Sequence, residues 1–330
     1  MGAHQANVEI PRGGVRLTWA ELPDHVRTAI EGRLGSSVVT ADSQTGGFSP
    51  GVAARVQLAD GSRAFVKAAS PALNEHTPAM YRREAEVAAA LPAGLPVSRL
   101  RGTIDDGEWI VLIFDDVDGR MPALPWQQPE LERVLGALTV LAGRLTPSPL
   151  PAPAVAEYLA EDFGAWRRLA AGGPDATAIA GPGGVRLPDW AARHLAGLAD
   201  LESQWTDKAA GETLLHIDLR ADNLLLTDDG GVVVVDWAQP AVGARWIGTV
   251  CFAINPALFG GHDPEQLVVE HPVAGKADPA AVDALLCGVL GYFVWMSRQP
   301  APYGLPTVRR FQRAQEQVVL DWLGRRLGWA

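Results

Sequence analysis

The chain has 330 residues, 48% of them hydrophobic and 20% charged, with a formal net charge of −10. That mixture excludes disordered and fibrous classes and leaves room for two packed cores, while the acidic balance argues against a nucleic-acid partner and favours a cationic one. The longest nearly uncharged apolar run, 284–296, is too short to cross a bilayer, and the N-terminus MGAHQANVEI has no signal-peptide pattern, so a cytoplasmic protein without a membrane partner is expected.

The first third reads as short β-runs with helices between them. Residues 23–34 have amphipathic helical spacing, 38–43 are β-type, and Thr45-Gly46-Gly47-Phe48-Ser49-Pro50-Gly51 is a glycine-rich turn before a second run, 52–58. Asp60-Gly61 then returns the chain through 63–68. The glycine turn could drape backbone N–H groups over phosphates, with the Ser49 hydroxyl as a further donor, although most such turns are only turns.

The chain uses arginine almost wherever it wants a cation: of 28 basic residues only Lys67, Lys208 and Lys276 are lysines. Lys67 alternates with Val66 and so shares a strand face with Phe65. In the next helix, 78–91, Met80, Glu84, Val87 and Leu91 fall on one stripe and Glu86 faces away. A glutamate pointing into a core needs a cation, and Lys67 is the available one.

An apolar strand, 109–114, runs into the acidic connector Asp115-Asp116-Val117-Asp118-Gly119. From about Met121 the pattern turns helical, with a clean stripe of Leu131, Val134, Leu135, Leu138 and Leu141 over 129–145. Further helices are expected over 154–171, 188–205, 244–257, 280–298 and 308–327, with a Gly/Pro-rich connector at 172–184. Cys251 and Cys287 lack metal-ligand spacing and read as free buried thiols.

Between these helices lies LLHIDLRADNLLLTDDGGVVVVDWAQP, residues 214–240. Two apolar runs, 224–226 and 232–235, flank Asp228-Asp229-Gly230-Gly231, so the segment reads as a β-hairpin. Folding it brings Asp218, Asn223 and Asp236 to one edge, an arrangement that suits a hard cation or a proton-transfer task.

The pattern His216-x-Asp218-x-x-x-x-Asn223, followed by Asp236 at the end of the next strand, resembles the catalytic and metal-binding segments of the protein-kinase-like fold. The Asp236-Trp237 ending is similar to that of aminoglycoside phosphotransferases and choline-kinase-like small-molecule kinases. The resemblance implies an α+β, bilobal fold, with a small antiparallel sheet lobe carrying one key helix (residues 1–117) and a larger, mostly helical lobe carrying the catalytic hairpin (118–330). It implies ATP and Mg²⁺, with Asp218 as catalytic base, Asn223 and Asp236 as metal ligands, and Lys67 paired to Glu84 against the phosphates. Gly47, Phe48 and Ser49 would cover the nucleotide, and the Asp115 carbonyl with the Val117 amide would hold adenine. Arg220 would help neutralise the transferred phosphoryl group, and His216 would support the loop.

Ile217 stands where related phosphotransferases commonly have glycine, and the protein-kinase Asp-Phe-Gly and Ala-Pro-Glu signatures are missing, which disfavours a polypeptide substrate. The expected activity is ATP-dependent phosphorylation of a hydroxyl on a small molecule, in antibiotic inactivation or in metabolism. A nucleotide-binding pseudokinase regulator is the alternative of another class, and the intact residue set argues against it. Glu157, Glu161, Asp162, Asp263, Glu265 and Glu270 either line an acceptor pocket that favours neutral or cationic polyols such as amino sugars, or are solvated helix faces.

Overall fold

A computed structural model of the protein describes residues 9–10, 16–44, 50–172, 187, 189–302 and 305–329. After helix α1 (Asp24–Leu34) the chain forms β1 (Val38–Ser43), β2 (Val52–Leu58) and β3 (Arg63–Ala69), then α2 (Thr77–Ala90), β4 (Leu100–Asp105) and β5 (Ile110–Asp115). The five strands make one antiparallel sheet in the order β1-β2-β3-β5-β4.

Alternation of side chains gives this sheet two apolar faces. Val52, Ala54, Val56, Val66, Val111 and Ile113 face one way and bury Val26 and Ile30 of α1. Ala69, Ile110, Leu112 and Phe114 face the other way and bury Tyr81 of α2. The helix places Glu84 three residues after Tyr81, on the same inward side, and Glu84 is only 2% exposed. Strand β4 was not anticipated: it is an edge strand, mostly half-buried or exposed, so its sequence carries little apolar periodicity.

Beyond the connector, β6 (Gly119–Arg120) leads to α3 (Gln128–Arg144) and a mainly helical region with one large core. The expected helix over 154–171 is broken in two, α4 (Val155–Tyr158) and α5 (Ala165–Ala171). Its start is tied down instead of propagating, because Pro153 accepts from the Val242 amide at 2.8 Å, and Gly164 sits at the resumption as a poor helix former. The run expected over 188–205 appears as Asp189–Arg193, Leu195–Ser203 and Trp205–Lys208, interrupted for single residues at His194 and Gln204; Pro188 lies outside the described residues. Helices Ile247–Gly260, Pro279–Met296 and Val308–Leu327 follow the 214–240 segment, and two shorter ones fall between. Pro279–Met296 is, among the described residues, the one helix long and apolar enough to cross a membrane, but most of it is buried in this core.

Candidate active site

The hairpin expected within residues 214–240 is present as β8 (Leu224–Thr227) and β9 (Val232–Val234), in register Leu224 to Val234 and Leu226 to Val232. These four side chains are buried, and a one-residue slip would turn all of them outward, so burial fixes the register. A second pairing, of β7 (Thr213–His216) with β10 (Pro240–Gly243), closes the segment from outside and sets His216 opposite Pro240.

Between the two pairings His216 acts as a strut. Its Nδ1 accepts from the Asp218 amide at 3.2 Å, and its Nε2 donates to the Val235 carbonyl at 3.0 Å. The ring is buried, which pushes its pKa down and keeps it neutral, as that donor and acceptor pattern requires. The turn carrying Asp218 is thereby fastened to the strand end that delivers Asp236. Asp236 itself has φ of 66°, the one positive value at a non-glycine position among the described residues. This left-handed kink ends the strand, and the Asp236 carboxylate lies in the cleft beneath the small sheet.

There Asp236 meets Lys67. The Lys67 ammonium lies 2.5 Å from Glu84 Oε2 and 2.9 Å from Asp236 Oδ1, over the Tyr81 ring at 4.7 Å from its centroid. Burial disfavours its charge, but the Asp236 and Glu84 carboxylates overcome this and hold its pKa above the usual lysine value. Burial pushes the Glu84 carboxyl up to about 7 against the pull of Lys67. Asp236 is also opposed by burial, yet Lys67 holds it below the ordinary carboxylate range.

On the other side of the hairpin edge, Asn223 donates through Nδ2 to the Asp218 carbonyl at 2.8 Å. Burial raises the Asp218 carboxyl, with Arg220 acting against the shift. Arg220 is not aimed into open space: it contacts the Asp218 carboxylate and makes a two-point bond to Asp222, 3.0 Å at each contact. The Asp222 side chain, 6% exposed, is thus a clamp on Arg220 that sequence reasoning left without a role, although spacing placed the two side by side.

A cleft of about 370 Å³ joins these groups to the connector. Lys67, Glu84, Asp115, Val117, Asn223 and Asp236 all line it. The connector is held by arginines: Arg55 bonds Asp116 at 2.7 Å and contacts the Val117 carbonyl, and Arg99 bonds Asp115 at 2.9 Å. The Asp115 carbonyl accepts from the Ser98 hydroxyl at 2.9 Å, so one of its two lone pairs is already used. Gly47, Phe48 and Ser49 lie outside the described residues.

The acids expected at an acceptor pocket divide. Asp263 caps the helix Pro264–Glu270 and pairs with Arg325 at 3.0 Å, while Glu265 pairs with Arg326 and accepts from Trp322, so both are committed to the C-terminal helix. Glu157, Glu161 and Glu270 are exposed. Asp162 is different. Burial raises it, and its charge, with that of Asp218, acts on the hydroxyls of Tyr158 and Tyr292, whose pKa values burial has already lifted, Tyr292 to about 12.

Residues 45–251 match a family model described as the phosphotransferase enzyme family. No curated protein sequence matches the chain at a significant level. Among solved structures, a thermostable mutant of an aminoglycoside phosphotransferase in ternary complex with AMP-PNP and hygromycin B is 15% identical, with a TM-score of 0.57 over 92% of this chain and 99% of that one. A spectinomycin phosphotransferase in complex with ADP and spectinomycin is 11% identical, with a TM-score of 0.60 over 93% and 99%. A choline kinase from Streptococcus pneumoniae is 12% identical, with a TM-score of 0.60 over 90% and 100%.

Proposed function

The chain belongs to the phosphotransferase enzyme family, and from that premise we propose that it transfers the γ-phosphate of ATP to a hydroxyl of a small molecule in the cytoplasm. The observation that carries the reading is the double contact of Lys67, which joins helix α2 through Glu84 to the hairpin end at Asp236 within one cleft. We place the division between a nucleotide-binding part and a catalytic, acceptor-binding part near residue 117, where the connector leaves β5.

In this reading the nucleotide base lies against the connector, its phosphates reach Lys67, and Asp218 orients the acceptor hydroxyl in line with the γ-phosphate and takes its proton as the new P–O bond forms. Arg220, pinned by Asp222, holds the Asp218 carboxylate in place. His216 keeps the Asp218 turn at a fixed distance from Asp236. A divalent ion fits the donors present. The Asn223 nitrogen is spent on the Asp218 carbonyl, leaving its amide oxygen as the free donor, and Asp236 keeps a second oxygen besides the one that Lys67 contacts. One amide oxygen and one carboxylate suit Mg²⁺, which takes few protein oxygens and completes its shell with phosphate and water. Among the described residues no group of three His, Cys, Asp or Glu gathers around a metal-sized space, as such a site requires none. When bound, Mg²⁺ offsets the negative charge of the polyphosphate.

The carboxylates of Asp218 and Asp222 and the net charge of −10 favour a neutral or cationic polyol over an anionic one. Hygromycin B and spectinomycin, bound by neighbours of the same fold, belong in the first panel of acceptors, alongside amino alcohols of the choline type. ATP consumption would be measured on matched neutral, amine-bearing and carboxylate-bearing hydroxyl compounds. We expect turnover with amine-bearing or neutral members; preference for the carboxylates would overturn the acceptor reading, and phosphate incorporation into polypeptide alone would overturn the small-molecule one.

A further inference from the structure

Arg55 enters the cleft from the same strand face as the groups near Lys67, but further along. In the β2–β3 pairing Ala53 stands opposite Lys67 and Arg55 opposite Phe65, and all four line the cleft. The strand repeat puts Arg55 ~7 Å beyond Ala53, away from Lys67 and toward the connector. There the guanidinium spends its fork. Its Nε lies 2.7 Å from Asp116 Oδ1, and its Nη2 lies 3.3 Å from Oδ2 and also contacts the Val117 carbonyl. Arg63 holds the same carboxylate from the neighbouring strand at 3.2 Å, and the Asp116 side chain is only 4% exposed.

These contacts change what the connector can offer a base. The Asp115 carbonyl accepts from the Ser98 hydroxyl, a neutral donor that can rotate and can itself accept. The Val117 carbonyl accepts from a guanidinium, which carries a full charge, has only donors, and is pinned by Asp116. A second donor brought to that carbonyl is pressed against a fixed cation. The Val117 amide, by contrast, donates to no group among the described residues. Purines differ at the edge that meets such a connector. Adenine brings one amino donor beside a bare ring nitrogen, and the Asp115 carbonyl with the Val117 amide satisfies both. Guanine brings a carbonyl oxygen followed by two adjacent N–H donors. If its oxygen takes the Val117 amide, those donors meet the carbonyl that Arg55 already holds, and donors left unpaired on desolvation are costly.

We propose that Arg55 is the base-selecting residue of this cleft: by capping the Val117 carbonyl, and being held there by Asp116, it admits adenine nucleotides and turns guanine nucleotides away. Arg55 releases no partner in doing so, because the selection lies in the contacts it already makes. The inference rests on the reading of this cleft as a nucleotide site with the base against the connector. It places the choice of phosphate donor on a strand of the small sheet, apart from the groups that handle the phosphates.

Calorimetry with Mg-ATP, Mg-GTP and Mg-tripolyphosphate tests it on the full chain, for wild type, Arg55→Met and Arg55→Lys. Wild type is expected to bind ATP at least ~10-fold more tightly than GTP, the scale that unpaired donors set. Arg55→Met keeps the apolar stem and frees the Val117 carbonyl, so the two nucleotides should come within ~3-fold of each other while tripolyphosphate affinity stays within ~2-fold of wild type. Arg55→Lys keeps a cation for Asp116 but has no fork for two partners, and should give an intermediate ratio; it carries the test if Arg55→Met does not fold. A residue that only braces the connector would, when replaced, weaken ATP and GTP alike. An unchanged ratio in the variants therefore overturns the selection and leaves the nucleotide reading intact, as does a wild type that binds GTP as tightly as ATP, a result that needs no variant. A wild type that binds neither nucleotide overturns the nucleotide reading, and the selection with it.

Discussion

Replacing Lys67 by methionine removes the cation that Glu84 and Asp236 share. Asp236 is about one-third exposed and can recover water, but the Glu84 side chain is 3% exposed and cannot. Its escape is to take up a proton. With Lys67 present the Glu84 carboxyl already stands at about 7, and without it the value should climb toward the ~8–9 that buried carboxyls reach. A carboxyl raised in the folded state contributes stability that is complete below its unfolded value and is lost as pH climbs through its folded value. Below about pH 7 variant and wild type lose stability in parallel on this account; above it, only the variant goes on losing, by ~1.4 kcal/mol per pH unit. From pH 7 to pH 8.5 the gap should therefore widen by ~2 kcal/mol, or ~3 °C in melting temperature for a chain of this size. Thermal unfolding followed by tryptophan fluorescence at pH 6, 7 and 8.5 would read it. A gap that stays constant, or narrows as pH rises, refutes the assignment of Lys67 as the internal cation for Glu84.

Asp218→Asn should lower kcat by at least ~10²-fold once an acceptor is found, with Mg-ATP affinity nearly unchanged, because proton acceptance is lost while the nucleotide cleft stays intact; activity within a few-fold of wild type would show that another group is the base. Asp236→Ala should weaken Mg-ATP binding more than Asn223→Ala, since only the first removes a charge, and equal tight binding by both in calorimetry would count against the metal assignment. Gly51→Ala should destabilise the protein by ~1–3 kcal/mol, from positive φ combined with a backbone clash; a melting temperature equal to wild type would show that β2 can shift to accept the methyl group.

The pair Lys67–Glu84 was legible because a glutamate on an apolar helical stripe must find a cation and lysines are so few in this chain. The meeting of Asp218, Asn223 and Asp236 was legible because hairpin register follows from side-chain burial. What stayed hidden depends on direction and long range. The second contact of Lys67, to Asp236, spans 169 positions and follows from the kink at 236, which no pattern of residue types announces. Arg220 was visible as a cation among acids, but nothing in its neighbours shows that it turns back onto Asp218 and Asp222. The acids at 263 and 265 have the same composition signal as Asp162; only the folded chain reveals that Arg325 and Arg326 had already claimed them. Strand β4 lacked a signal because an edge strand buries too little of either face.

The left-handed backbone at Asp236 also bears on how this chain could change over generations. Asparagine tolerates that conformation nearly as well as aspartate, whereas branched or bulky residues do not. Asp236→Asn keeps an oxygen for Lys67 and leaves the hairpin untouched, yet subtracts the one full charge this position would offer a metal. A duplicated copy could therefore lose that charge through a single substitution, with its fold preserved. The paths open at this position run toward a folded protein with weakened nucleotide binding, and much less often toward one that fails to fold.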